Sequence, residues 1–230
     1  MNQSTDRSQH PDVTIDAIAF AVMSRQPLPR MTCSSVDDGY RLQRALSAHL
    51  NAGRSGDLKA GVTAIAAQQQ LGLEGPLAAS LYVDGRLESG CTLSVTRGQE
   101  LECEIAVIIN GSGKPLGLMP AVEVVYLAFS RAEDLSIANA VAANLGADRY
   151  ICGEVVRWDE TLTQVPISVC KDGVEIETMS NNYSFGSPAS GAAWLANESK
   201  KRGLWSESEQ QCTLLLGTCG NPIPAQPGQY

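Results

Sequence analysis

No apolar run in the 230-residue chain approaches the ~20 residues of a membrane-spanning helix, and its polar opening, MNQSTDRSQHPD, lacks the pattern of a secretory signal. A cytoplasmic protein with no membrane partner is expected. There is no CxxC pair either. The seven cysteines are an odd number, scattered at 33, 91, 103, 152, 170, 212 and 219, which argues against a zinc site and a disulfide framework and leaves reduced, small apolar residues. Positive charge is in short supply: 17 Lys and Arg face 25 Asp and Glu, giving a net charge of −8 and a pI near 4.8. Such a surface repels a phosphate backbone, and the short cluster Lys200-Lys201-Arg202 suits a helix C-terminus, so nucleic acid is excluded as a partner. The Walker spacing GxxxxGK[ST] is missing too; Asn110-Gly111-Ser112-Gly113 reads as a turn before Lys114-Pro115. No internal repeat is evident.

What remains is an ordinary globular composition, 43% hydrophobic and 18% charged, long enough for one core and a small helical lobe in a single domain. Residues 1–13 read as a disordered tail and 14–55 as a helical N-terminal lobe, with a mixed-β roll over 56–230. A first helix opens at Thr14, carries Ile15, Ile18, Ala19 and Val22, and stops before Pro27. A second opens at Ser35, which forms a capping box with Asp38, and its inner stripe is Leu42, Ala45, Leu46 and Leu50.

From residue 56 onward short β-runs dominate. Asp84-Gly85, Asn110 to Gly113 and Asp172-Gly173 are expected to be hairpin turns. A short helix is expected within Leu135 to Leu145, a strand at Tyr150 to Val156, a turn-rich connection at Trp158 to Thr163, and a hairpin from Val165–Val169 and Val174–Thr178. Ser187-Pro188 supplies an N-cap and an N1 proline for a helix reaching Gly203, and the strand Cys212 to Leu216 precedes a loose Pro-, Gly- and Gln-rich tail. Strands in series with few helices imply an α+β fold.

The stretch that promises chemistry is RGQELECEIAVII, residues 97–109. On a strand Glu102 and Glu104 share a face, roughly 6.5–7 Å apart, with Ala106 and Ile108 following them, while Leu101, Cys103, Ile105, Val107 and Ile109 fill the other. Glu123 lies in a second apolar run, PAVEVVYLAF. Three carboxylates on two strands could hold Mg²⁺ or Mn²⁺; the same Glu-x-Glu pattern also describes a solvated edge strand. Lys59, in DLKAGVT, is either a partly desolvated acid or base with a lowered pKa or a solvated lysine at a strand start.

The ordered set Lys59-Ala60-Gly61-Val62-Thr63, QQQLGL at 68–73, Pro76, Glu102-x-Glu104-Ile105-Ala106, Glu123-Val124-Val125, VAAN at 141–144, FGSPASGAAWLA at 185–196 and LLGT at 215–218 resembles one known family. It is similar to the 2-keto-4-pentenoate hydratase and 4-oxalocrotonate decarboxylase branch of the fumarylacetoacetate hydrolase superfamily, from about Ile15 to the end. The resemblance implies a mixed β-sandwich roll with a helical N-terminal lobe, and Mg²⁺ or Mn²⁺ held by Glu102, Glu104 and Glu123. It further implies Lys59 as the acid–base group and substrate contacts at the positions of Leu77, Ser80, Asn144 and Thr218. The substrate would be a small 2-oxo acid, and the chain would form a homo-oligomer or a complex with a paralogous enzyme.

Departures from the pattern bear on the reaction. Leu77 stands where the family carries an aspartate, Ala128 where it carries an arginine, and Ala143 where VADN has its acid. Arg131 could replace that arginine only on a re-routed strand, and the chain stops about where homologues begin one more strand. The reading is a metal-dependent lyase, hydratase-like, on a 2-oxo-enoic or 2-hydroxydienoic acid. Its alternatives are a decarboxylase of a 2-oxo-enedioate, an altered isomerase or cyclase, and a catalytically reduced structural homologue.

Overall fold

The computed structural model describes residues 14–159, 167–179, 185–207 and 210–230, so the expected tail at 1–13 and parts of the 158–163 connection and the 165–169 strand lie outside the described residues. Helix α1 (Ile15–Ser24) starts at Thr14, whose hydroxyl accepts from Ala17 N at 3.2 Å. Helix α2 (Val36–Leu50) starts at Ser35, which accepts from Asp38 N at 3.1 Å. Asp38 returns the bond to Ser34 N at 3.3 Å, so the reciprocal half of the capping box is displaced by one residue.

The inner stripe of α2 is rotated from the one expected. Ala45 is exposed and Leu42 and Leu50 are half-buried, while Gly39, Tyr40, Gln43, Leu46 and Ser47 face inward. Tyr40 and Gln43 tolerate burial because they find backbone partners: Tyr40 Oη accepts from Ala78 N at 3.0 Å and Gln43 Nε2 donates to Val141 O at 3.0 Å.

The strands are β1 (Leu58–Gly61), β2 (Leu77–Ser80), β3 (Arg86–Leu87), β4 (Glu100–Ile109), β5 (Pro115–Val125), β6 (Ala147–Cys152), β7 (Val156–Arg157), β8 (Ile167–Lys171), β9 (Val174–Met179), β10 (Cys212–Thr218) and β11 (Ile223–Pro224). Among the described residues one sheet runs β2-β1-β10-β4-β5-β6-β3, with β11 on β4 and β7 on β5, and β8–β9 stands apart. The β1–β10 and β3–β6 pairs are parallel and the others antiparallel, the mixed sheet of an α+β fold. Three short helices complete it: α3 (Ile65–Gln70), α4 (Ile137–Ala142) and the longer α5 (Pro188–Lys201), the last capped by Ser187.

Two turn assignments hold and one fails. The segment Asn110 to Gly113 joins β4 to β5, with Asn110 Oδ1 accepting from Ser112 N and Lys114 N. Asp172-Gly173, at φ 53° and 77°, joins β8 to β9 as a two-residue loop of left-handed residues. Asp84-Gly85 instead lies in a 3-10 turn between β2 and β3, which sit at opposite edges of the sheet. The strand expected at 150–156 begins earlier, at Ala147, and breaks at Gly153, whose amide donates to Pro120 O before β7 resumes. Nor is the C-terminal segment loose: β11 pairs with Leu101 and Glu100, Ala225 N donates to Gln99 O at 2.9 Å, and Gln229 O accepts from Asp172 N at 2.7 Å.

Alternation along the central strands produces two apolar layers. On the outer face Leu58, Ala60, Ile105, Val107, Ile109, Leu214 and Leu216 pack under Ala192, Leu195 and Ala196 of α5. On the inner face Ala106, Met119, Ala121 and Leu215 meet Tyr82 and Tyr150, and Leu77 and Ala79 meet Tyr40, Val141 and Leu145. Helices α1 and α2 close that side through Ile18, Ala19 and Leu46 against Ala142 and Ala143.

Leu195 is wholly buried between α5 and the sheet. Leu195→Ala is therefore expected to lower the unfolding free energy by about 2–5 kcal/mol, because it removes buried hydrocarbon and leaves a cavity. Urea denaturation followed by far-ultraviolet circular dichroism measures it.

Candidate metal centre

Strand register decides which side chains meet on the inner face. Ala79 pairs with Lys59, Lys59 with Leu215, Leu215 with Ala106 and Ala106 with Met119; cross-strand partners share a face, so Lys59 points inward. Two residues along come Leu77 opposite Gly61 and Glu104 opposite Ala121, with Thr218 paired to Glu104 on the other side across a slip in register, and next beyond them the directly opposed pair Glu102 and Glu123. The expected sharing of one face by Glu102, Glu104, Ala106 and Ile108 is thus borne out, with Glu123 and Lys59 on it too.

The three glutamates offer oxygens that all lie within 4.8 Å of one another. Glu104 and Glu123 are fully buried and Glu102 is half-buried at the rim. Lys59, 2% exposed, donates to Glu123 Oε1 at 2.5 Å and to Leu145 O at 3.1 Å. Gly217 N donates to Glu104 Oε2 at 2.6 Å. That leaves Glu104 Oε1 and Glu123 Oε2 buried without a hydrogen-bond partner.

Charge and chemistry both fit a divalent cation. Three carboxylates against one ammonium leave two negative charges uncompensated, and oxygen-only donors at this spacing suit a hard ion such as Mg²⁺ or Mn²⁺. The two orphaned oxygens are the natural ligand atoms, since a buried acceptor left unmatched is costly.

The same surroundings set the proton affinities. Burial pushes the Glu104 carboxyl well above the usual carboxylate range, helped by the neighbouring charges of Glu123 and Glu102 and opposed by Lys59 and the Gly217 amide. Burial likewise raises Glu123, against the pull of Lys59. For Lys59 burial alone would lower the pKa, as the sequence suggested, but the carboxylates of Glu123, Glu102 and Glu104 outweigh it and the net shift is upward. The lowered value expected for Lys59 is therefore corrected: without a cation the ammonium form is favoured.

The other sequence-predicted positions lie around this cluster in different ways. Leu77 pairs with Gly61 and lies on the inner face, three strands from Glu104. Ser80 pairs with Leu58 and so shares the outward side, away from Lys59. Asn144 is buried, with both amide atoms on the Ser80 backbone. The Thr218 hydroxyl binds the Gly220 carbonyl at 3.1 Å. Arg131 does not take the place of the missing arginine: it is exposed and paired with Glu133, beyond a segment held to the N-terminal lobe by Leu28 N to Ala128 O at 2.7 Å and Ser130 N to Leu28 O at 2.9 Å. Two contributors, the Leu145 carbonyl and the Gly217 amide, are backbone groups that no side-chain pattern announced.

No family model matches the chain. Among curated proteins, 2-keto-4-pentenoate hydratase of Paraburkholderia xenovorans is 25% identical over 214 residues, covering 84% of this chain and 78% of that protein. 2-Keto-4-pentenoate hydratase 3 of Pseudomonas putida matches to the same extent. Among solved structures, 4-oxalocrotonate decarboxylase from Pseudomonas putida superposes with a TM-score of 0.76 at 22% identity, over 98% of this chain and 93% of that one, in a complex with calcium and acetate. A second structure of that enzyme, with magnesium and adipate, gives 0.75. The chain is thus similar in sequence to these hydratases and shares the fold of the decarboxylase. Of the residues that carry the resemblance, the acidic triad and Lys59 meet on one face, while Leu77 and Ala143 lie in apolar clusters.

Because both buried carboxyls are shifted upward, the folded metal-free protein keeps protons that the unfolded chain releases just above the ordinary value of 4.5. Stability contributed by these groups is thus highest below that value and falls as pH rises through the interval up to the raised pKa values. Urea titrations in chelator between pH 5 and 8 should show the decline, and Mg²⁺ should reverse it. Glu104→Gln should stabilise the metal-free protein at pH 8 by about 1–3 kcal/mol while abolishing the Mg²⁺ effect.

Proposed function

We propose that the protein is a divalent-metal-dependent lyase of a small 2-oxo-enoic or 2-hydroxydienoic acid, hydratase-like, with Lys59 as its acid–base group. The observation that carries this reading is the convergence of three carboxylates and one buried lysine on a single face, with two carboxylate oxygens unpartnered. The curated hydratases at 25% identity and the calcium- and magnesium-bound decarboxylase of the same fold support it.

Glu102, Glu104 and Glu123 would hold Mg²⁺ or Mn²⁺, which supplies positive charge where electron density accumulates on the 2-oxo oxygen of the substrate. Lys59 starts as an ammonium, held by Glu123 Oε1 and the Leu145 carbonyl. Its remaining N–H can deliver a proton to the terminal carbon of the dienol while the 2-hydroxyl gives up its own proton to solvent, which yields the conjugated 2-oxo form. The neutral amine so formed can then accept a proton from the water whose oxygen adds to the double bond, and the resulting enolate carbon takes its proton from solvent.

An apolar wall on the same side of the sheet refines the substrate. Leu77, three strands from Glu104, has Val62, Leu73 and Leu145 packed around it. Arg202, stacked on Tyr40 behind this wall, is paired with Glu198 and Asp37. A second carboxylate at the far end of a substrate would therefore meet hydrocarbon, which favours a mono-acid. One observation favours the decarboxylase reading: Leu77 offers no base for water, and loss of CO₂ needs only an electron sink and a proton donor.

Calorimetric titration should show Mg²⁺ or Mn²⁺ binding that Glu102→Ala removes; absence of binding in the unaltered protein would leave the reading without its cofactor. Lys59→Met should lower turnover of 2-hydroxypenta-2,4-dienoate by about 10²–10⁴-fold with metal affinity retained. Activity on 2-oxo-3-hexenedioate, with release of CO₂ and none on the mono-acid, would select decarboxylation instead.

A further inference from the structure

Asn144, Leu145 and Gly146 occupy three successive left-handed positions, at φ 56°, 52° and 73°. Leucine avoids that region, so the turn persists only if its surroundings hold it there. They do so at both ends. Asn144 is fully buried; its Oδ1 accepts from Ser80 N at 3.1 Å and its Nδ2 donates to Ser80 O at 2.6 Å. Ser80 lies on β2, the edge strand of the sheet, and the carboxamide occupies backbone groups there as a neighbouring strand would. At the other end Gly146 O accepts from Tyr126 N at 2.8 Å, and a Cβ on Gly146 would come within 2.9 Å of Leu127 and Val125.

Between these fastenings the Leu145 carbonyl points at Lys59 Nζ, and the Leu145 side chain covers Gly61, where a Cβ would lie 2.7 Å from Leu145 Cδ1. Ser80 and Ala79 are the register partners of Leu58 and Lys59. The carboxamide therefore ties the turn to the same strand pair that carries the lysine.

We propose that Asn144 is a positioning residue: by clamping the Ser80 backbone it keeps the Leu145 carbonyl on the Lys59 ammonium, so that two of its three N–H bonds are fixed and the third is aimed at the substrate. The inference rests on the acid–base role given to Lys59 above, and it assigns Asn144 a task other than touching the substrate. Without the clamp the turn relaxes toward right-handed geometry, the carbonyl leaves, and the ammonium swings freely about its bond to Glu123. A displacement of about 1 Å at a proton-transferring atom is enough to cost roughly 10²-fold in rate.

The test is a double-mutant cycle on the metal-loaded protein with 2-hydroxypenta-2,4-dienoate. Asn144→Gly keeps the left-handed preference and deletes the clamp. Its kcat should fall about 10- to 100-fold, with KM and the calorimetric Mg²⁺ Kd within about twofold of the parent. In a Lys59→Met background the same change should leave the residual rate unaltered, since there is no ammonium left to aim. Full kcat in Asn144→Gly, loss of Mg²⁺ affinity in parallel with kcat, or an equal loss in the Lys59→Met background would each overturn the proposal. Should Asn144→Gly not fold, Asn144→Asp keeps the backbone preference and the acceptor for Ser80 N, and it must show a smaller loss with the same non-additivity. Full activity of Lys59→Met alone would instead refute the role of the lysine, an outcome the cycle reads separately.

Discussion

A buried deficit of positive charge governs the inner face of the sheet. Glu104 and Glu123 sit fully buried above a floor of Ala106, Met119 and Leu215, and the single ammonium of Lys59 answers only one of the three carboxylates. In so apolar a setting each unmatched charge is expensive, and the same low polarity makes a cation placed there strongly bound. Such a cluster of carboxylates is thus a destabilising element while no cation is bound. The rest of the fold has to hold it open, and two polar junctions at the ends of the strands do so. Asp57 accepts from Thr213 N at 2.8 Å, Tyr150 Oη at 2.8 Å and Arg86 Nη1 at 3.2 Å, joining the start of β1 to β10, β6 and β3. Asp148 receives both Arg25 Nε and Nη2, at 2.8 and 2.9 Å, with Gln99 Nε2 at 2.8 Å, and so fastens the helical lobe to the sheet.

Much of this was legible in the sequence wherever one local rule governs one local structure. The alternation of Glu102, Glu104 and Ala106 against Cys103, Ile105 and Val107 gave the faces of β4, and Ser35 and Ser187 marked helix starts. Asp-Gly shows where such rules end. At 172–173 it turns a hairpin, but at 84–85 the chain leaves one edge of the sheet for the other, a choice made by long-range pairing that a dipeptide does not encode. The stripe of α2 was misjudged for a related reason. Tyr40 and Gln43 are polar in isolation, and only the backbone groups of Ala78 and Val141 make their burial tolerable.

The site itself was half legible. Residue type and spacing made its glutamates candidates and the resemblance added Lys59, but the direction of the Lys59 shift could not be read, because that depends on how many carboxylates surround a desolvated amine. The positions that depart from the family pattern have a common physical character. Leu77 joins Tyr40, Ala140 and Leu145, and Ala143 joins Ile18 and Leu46, each in a hydrocarbon cluster behind the helical lobe. An acid at either place would have added to a face that already carries two negative charges in excess. Their replacement concentrates the remaining electrostatics in the triad and Lys59.

The bulge at the end of β10 explains how that small set keeps its direction. Register slips between Leu215 and Thr218, and within the slip Gly217 takes φ 92°, a conformation open to glycine and strained for other residues. Its amide is thereby turned onto Glu104 Oε2 at 2.6 Å, while Thr63 fills the space a side chain would occupy, with Cγ2 2.5 Å from the position of a Cβ. One oxygen of the carboxylate is spoken for by the backbone, so the other, Oε1, is the one left to a ligand. Lys59 does the same for Glu123, taking Oε1 and leaving Oε2. The orientation of both buried carboxylates is fixed by donors belonging to strands adjacent in the sheet, β10 and β1. It is this ordering of donors, in addition to the presence of three glutamates, that distinguishes the cluster from an acidic patch on a solvated strand.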